Sequence, residues 1–282
     1  MKRFTLVLIA IAVICGIFAS PTVYAASRPS AYDRLYVFGD SYSDIGAGYV
    51  DGNGPTAVAY LAELLGLKLV PSTAPDANGN SIDFAVSGAQ SGRGKGVKVE
   101  GALLGLGMLN QVEDFMGRVR AGGIVFSPQT TLFYLAGGLN DRDLPSETTM
   151  ANLEEEIRTI YGLGGRRFEV ALLPTAIPNF SAIGKRLNPE LARIPKELSR
   201  ELPGAQIKLS QWGPFFDEVM QHPTQYGIAN TMLACAGREI FHEDAPPCAA
   251  PQTYFYYHKG HPSTAVHQAV GNMLYKEIAG VN

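Results

Sequence analysis

The chain has 282 residues, 46% of them hydrophobic and 17% charged, with a formal net charge of −3. That length and apolar share suffice for one large buried core, and no internal repeat breaks it up. The mild acidity excludes nucleic acid as a main partner, because phosphate binding needs a concentrated basic face.

Residues 1–25 read as a cleaved export signal. Lys2-Arg3 form its basic start, Phe4 to Ala19 its apolar run, and Val23-Tyr24-Ala25 a small-x-small cleavage site past Pro21. The apolar run is short for a membrane anchor, and no later segment is long and apolar enough to span a bilayer. Residues 26–282 are therefore expected as a single secreted or periplasmic domain, monomeric and without a stable membrane span. Cleavage removes Cys15 and leaves Cys235 and Cys248 in one Pro-rich loop. In an oxidising compartment they are expected to form a disulfide. The alternative is a metal site with His242 between them, which matches no zinc spacing.

In chain order, the apolar run Leu35–Phe38 predicts a strand that delivers Gly39-Asp40-Ser41. A Gly-rich loop with Tyr49 and Asp51 follows, then an amphipathic helix over Thr56–Leu65, opened by Pro55 and closed by Gly66. Ile82–Val86 predicts a short strand running into Ser87-Gly88-Ala89, and Ser91–Gly96 a mobile surface loop. Gly101–Met108, rich in Leu and Gly, fits either an acyl-pocket lining or a buried loop. Helices are predicted over Gln111–Val119 and Met150–Tyr161, on either side of a buried strand, Thr131–Ala136, that ends in Gly137-Gly138-Leu139-Asn140-Asp141. Phe168–Leu173 and Ala205–Leu209 complete five strands. Between them a helix from Asn188 to Leu202 should break or kink at Pro195. A short helix over Gly213–Met220 and a last one after His261-Pro262 close the chain. Strands alternating with amphipathic helices imply a mostly parallel sheet covered on both faces.

Four stretches bear chemistry: Gly39-Asp40-Ser41, Ser87-Gly88-Ala89, Gly138-Leu139-Asn140-Asp141 and His261-Pro262. Acyl transfer needs a nucleophile, a base beside it and donors for an oxyanion. Ser41 can supply the hydroxyl and His261 the imidazole. The amides of Ser41 and Gly88, with the Asn140 side chain, can supply the donors. Asp40 reads as scaffold for the turn, Asp44 as a turn or cap residue, and His267 as a surface or packing residue. The stretch Gly92-Arg93-Gly94-Lys95-Gly96 fails as a phosphate loop, with Ala89 and Gly96 at the two decisive positions.

These stretches resemble, in order, the four blocks of the GDSL or SGNH hydrolases, with Tyr42 where the name-giving Leu usually stands. The resemblance spans Phe38 to Ser263. It implies a three-layer α/β/α sandwich around a flavodoxin-like five-stranded sheet, and a serine esterase or lipase with Ser41 as nucleophile and His261 as base. An oxyanion hole of Ser41, Gly88 and Asn140, no cofactor or metal, and a small-molecule or lipid ester substrate also follow. One family feature is missing. The position three before the base, where an Asp normally orients it, holds His258. An imidazole brings no negative charge to steady the imidazolium formed during attack. Three outcomes stay open: a backbone carbonyl orients His261; a carboxylate from elsewhere does, Glu243 and Asp244 being nearest in sequence; or the site is impaired. An acyltransferase or phospholipase on the same site, or a non-catalytic binding protein, are the competing functions.

Overall fold

The computed structural model describes residues 31–244 and 246–281. The expected export signal and Cys15 lie outside them.

The expected three-layer α/β/α architecture is present, with six strands in the central sheet instead of five. In chain order the strands are β1 (Arg34–Gly39), β2 (Leu69–Pro71), β3 (Ser81–Asp83), the hairpin β4 (Lys95–Val99) and β5 (Ala102–Leu106), β6 (Thr131–Ala136), β7 (Arg167–Ala171) and β8 (Gln206–Ser210). Near the C-terminus come β9 (Asn230–Ala234), β10 (Tyr254–His258) and β11 (His261–Pro262). The central sheet has the order β2-β3-β1-β6-β7-β8 and every pairing in it is parallel. The overlooked sixth strand is β2, an edge piece only 3 residues long that ends in Pro71, too short for an alternation pattern. Its Pro is tolerated because it lies at an edge.

Helices α1 (Ala57–Leu64), α6 (Trp212–Gln221) and α7 (Thr264–Ala279) pack together as one outer layer, and α2 (Met108–Arg120), α3 (Ser146–Gly162), α4 (Ser181–Leu191) and α5 (Ile194–Glu201) as the other. β1 and β6 are buried along their apolar runs, as befits central strands covered on both faces. Alternate side chains of β1, Tyr36 and Phe38, meet Phe115 of α2 at 5.0 and 5.8 Å between ring centroids, and Phe38 stacks on Phe84 at 5.2 Å. Burying such rings on an α/β interface is worth several kcal/mol each, of order 3–5 on truncation to Ala. It fixes the height at which β1 ends.

Besides β2 and the C-terminal strands β9–β11, which the sequence patterns do not announce, two stretches differ from expectation. The helix expected over Asn188–Leu202 is two helices, α4 with Pro189 inside it and α5 with Pro195 in its first turn. A proline in a first turn removes no helical hydrogen bond, so Pro195 starts a helix and does not kink one. Asn188 instead ties α4 to the end of β7, donating to the Leu173 carbonyl at 2.9 Å and accepting its amide at 2.8 Å. The expected mobile loop 91–96 leads into an ordered antiparallel hairpin, β4 against β5. Arg93 anchors its entrance to Glu113 and Glu155 at 2.9 and 2.8 Å.

Candidate active site

Because β3, β1 and β6 run parallel side by side, their carboxyl ends open on one edge, where the connection reverses from one side of β1 to the other. Such an edge is where open α/β sheets bind ligands. The register Val37↔Asp83 and Gly39↔Ala136 places the three following loops together there. They carry Ser41, Gly88 and Asn140.

The turn after β1 is held from inside. Asp40 accepts the Tyr42 amide at 3.1 Å, and its backbone carbonyl accepts the amides of Ser43 and Asp44. Burial pushes the Asp40 carboxyl up to about 7, with the Tyr42 amide opposing and the carboxylates of Asp141 and Asp44 adding to the rise. Asp44 links two loops: its carboxylate accepts the amides of Gly46 and Gly48 from its own loop and Ser87 at 2.8 Å from the next. Gly88 has φ +79°, a left-handed conformation that a side chain disfavours. Asp141 accepts Ser91 N at 3.0 Å and Thr149 Oγ1 at 2.8 Å, fixing the third loop. Asn140 gives one amide hydrogen to the Ala89 carbonyl at 2.9 Å, which leaves the second available. Among the described residues, neither the Ser41 nor the Gly88 amide is given to another group of the chain.

The histidine arrives from the other end of the chain. The Ser41 hydroxyl lies 2.9 Å from His261 Nε2. Tyr42 sets the height of that imidazole: its buried hydroxyl donates to the Gly260 carbonyl at 2.9 Å, and its ring lies 5.8 Å from that of His261. Tyrosine in place of leucine therefore ties the serine turn to the histidine loop. Burial lowers the pKa of His261, against an opposing pull from the Asp51 carboxylate. His267 is wholly buried and accepts the Ala57 amide at 3.2 Å, its basicity pushed down to about 3 by burial. It packs, and it caps α1.

Two groups meet His261 Nδ1. The Lys259 carbonyl accepts a hydrogen bond from it at 3.3 Å, and Asp51 Oδ2 lies 3.2 Å away. Neither nearby carboxylate named from the sequence takes this place. Glu243 is held by Arg238 at 2.6 Å, which pulls its carboxyl down to about 2, and Asp244 lines a cavity of about 460 Å³ beside His258. Asp51 comes from the Gly-rich loop after β1 and is buried, its other oxygen Oδ1 lying 2.7 Å from His258 Nδ1 and Arg238 standing 3.9 Å from Oδ2. The loop is pinned where it must be: Asn53 accepts the Thr264 amide at 2.8 Å, and Thr264 Oγ1 donates to the Pro55 carbonyl at 3.0 Å. Cys235 and Cys248 are joined in a disulfide, which removes both thiolates from any metal site with His242.

The model of GDSL-like lipases and acylhydrolases matches residues 35–274. The chain belongs to this family. Among curated relatives of this GDSL hydrolase, GDSL esterase/lipase 2 of Arabidopsis thaliana is 23% identical, with 89% of this chain and 81% of the relative covered. GDSL esterase/lipase 1 of the same plant is 24% identical, with 72% of each covered. Among solved structures, a G-D-S-L lipolytic protein from Veillonella parvula aligns with a TM-score of 0.43 at 15% identity, covering 85% of this chain and 94% of that one. An inhibitor-bound M. smegmatis aryl esterase aligns with a TM-score of 0.46 at 14% identity, covering 89% and 100%.

The GDSL blocks brought four site residues to notice and left Asp51 unnoticed. Its only signal in the sequence is an acid set among glycines in the loop after the serine block. Along the chain it lies far from His261, and the fold alone brings the two together.

Proposed function

We propose that this family member is an exported serine esterase acting on a small-molecule or lipid carboxylic ester through an acyl-Ser41 intermediate. The observation that carries this reading is the 2.9 Å contact of Ser41 Oγ with His261 Nε2 at the carboxyl edge of the sheet. His261 must be neutral with its proton on Nδ1 to act as base. The Lys259 carbonyl favours that tautomer, and the Asp51 carboxylate adds the negative charge that the imidazolium needs.

In this mechanism the Ser41 proton passes to His261 Nε2 as Oγ attacks the ester carbonyl carbon. The amides of Ser41 and Gly88 and the second amide hydrogen of Asn140 receive the developing oxyanion. His261 then gives its proton to the departing alcohol, leaving the acyl group on Ser41, and a water molecule activated by the same histidine releases the acid. Removal of the signal at residues 1–25 and residence in a secreted or periplasmic space agree with the disulfide. Among the described residues, no helix is long and apolar enough to cross a membrane.

The test is Ser41→Ala, assayed on p-nitrophenyl esters of graded chain length with the fold checked by circular dichroism. Hydrolysis should vanish in the folded variant. Turnover at the parent rate would refute the assignment.

A further inference from the structure

Resting on that reading of Ser41 and His261, we propose that His258 is a positioning residue, and that position 258 works here as a donor to the carboxylate that steadies the base. His258 ends β10 and faces His261 across the β10–β11 turn. It is 5% exposed, and its ring lies near-parallel to that of Tyr49 at 6.3 Å. Its Nδ1 lies 2.7 Å from Asp51 Oδ1, while Asp51 Oδ2 lies 3.2 Å from His261 Nδ1. An ionised carboxylate only accepts, so His258 Nδ1 carries the proton in this contact.

A short charge-assisted hydrogen bond to one oxygen stops rotation of the carboxyl group. It therefore fixes where the second oxygen points. Among the described residues no group of its own loop donates to the Asp51 carboxylate, so the lock comes from outside that loop. Arg238, at 3.9 Å from Oδ2, is too far for a hydrogen bond and supplies only field. Among the described residues, His258 is the group that hydrogen-bonds Oδ1. The arrangement also accounts for the departure from the family pattern. A carboxylate at 258 would face Asp51 at hydrogen-bond distance, and two like charges there repel. With Asp51 supplying the negative charge, what position 258 can hold is a hydrogen-bond donor.

The charge arrangement gives a test that a merely structural histidine fails. Kinetics on a short-chain p-nitrophenyl ester, with a thermal melt for each protein, compare the parent with Ser41→Ala, His258→Phe, His258→Asn, His258→Asp and the double variant His258→Asp/Asp51→Asn. His258→Phe should lose about 10- to 100-fold in kcat, the size of one hydrogen bond to a charged group, with KM within about twofold. His258→Asn keeps an N–H near the Nδ1 position and should regain most of that loss. His258→Asp should fall below His258→Phe, and adding Asp51→Asn should raise it again at least about tenfold, since donor and acceptor are then exchanged. Parent-like kcat in His258→Phe would overturn the role, as would a folded His258→Asn no better than His258→Phe, or no recovery in the double variant. Hydrolysis surviving in Ser41→Ala would instead sink the functional reading beneath it, so the two failures are told apart.

Discussion

In the proposed mechanism Asp51 and Lys259 divide between them what one aspartate does in an ordinary triad. On that reading the Lys259 carbonyl, 3.3 Å from His261 Nδ1, holds the tautomer, and Asp51, 3.2 Å away, provides the charge. In a triad that depends on its Asp for both, replacing it by Asn costs about 10⁴-fold because the wrong tautomer forms. Here the carbonyl keeps the tautomer, so Asp51→Asn should cost less, about 10²- to 10³-fold in kcat. The pH profile carries a second signature. As the proposed base His261 works when neutral, and burial lowers its pKa from the ordinary 6.5 while Asp51 raises it. The acid limb of kcat/KM should therefore fall below pH 6.5, with activity lost as pH drops through it. Taking away the Asp51 charge removes the upward pull, so the limb of Asp51→Asn should move to still lower pH. A limb that stays put or moves up would exclude Asp51 as the charge beside the base.

The hairpin β4–β5 shows how an element away from Ser41 and His261 supports the candidate site. Its Gly105 amide donates to the Ser87 carbonyl at 2.8 Å, next to Gly88, and most of the Leu- and Gly-rich segment 101–108 forms this half-buried strand. At its foot, Gly107 lies so close to the preceding loop that an added Cβ would stand 2.0 Å from the Gly92 carbonyl oxygen and 2.6 Å from the Gly94 amide. Both neighbours are backbone and cannot rotate away. Gly107→Ala should therefore destabilise the protein by about 1–3 kcal/mol, the usual cost of overpacking, measured by denaturant unfolding. It should also lower kcat by displacing the Gly88 loop. Unchanged stability and turnover would mean that the hairpin floats free of the site.

The disulfide closes a loop of sequence separation 13 over the end that carries His258. Ala236 donates to the Tyr257 carbonyl and Cys235 to that of Tyr256, so the closed loop lies along β10, and Arg238 of the same loop faces Asp51. Restricting the unfolded chain over such a loop is worth about 3 kcal/mol. Replacing Cys235 and Cys248 by serine should lower stability by about 2–3 kcal/mol, and dithiothreitol should lower the melting temperature of the parent but not of that variant. Equal sensitivity to reductant in both would show that the bond does not form in solution.

The sequence by itself determined the layered α/β architecture, because apolar strands and amphipathic helices alternate with distinct periods. It also brought Ser41, Gly88, Asn140 and His261 together as one candidate site, because each stands in a short motif whose order along the chain is readable. What it could not supply was the partner of His261. Asp51 and His258 lie 207 residues apart, and neither belongs to a motif that points to the other. Only the parallel sheet, which brings the loop after β1 against the C-terminal strands, with Asn53 pinned to Thr264, decides which of the chain's carboxylates reaches His261. Local patterns record what a segment does to its own backbone; a charge contact made through a loop is settled by where the fold carries it.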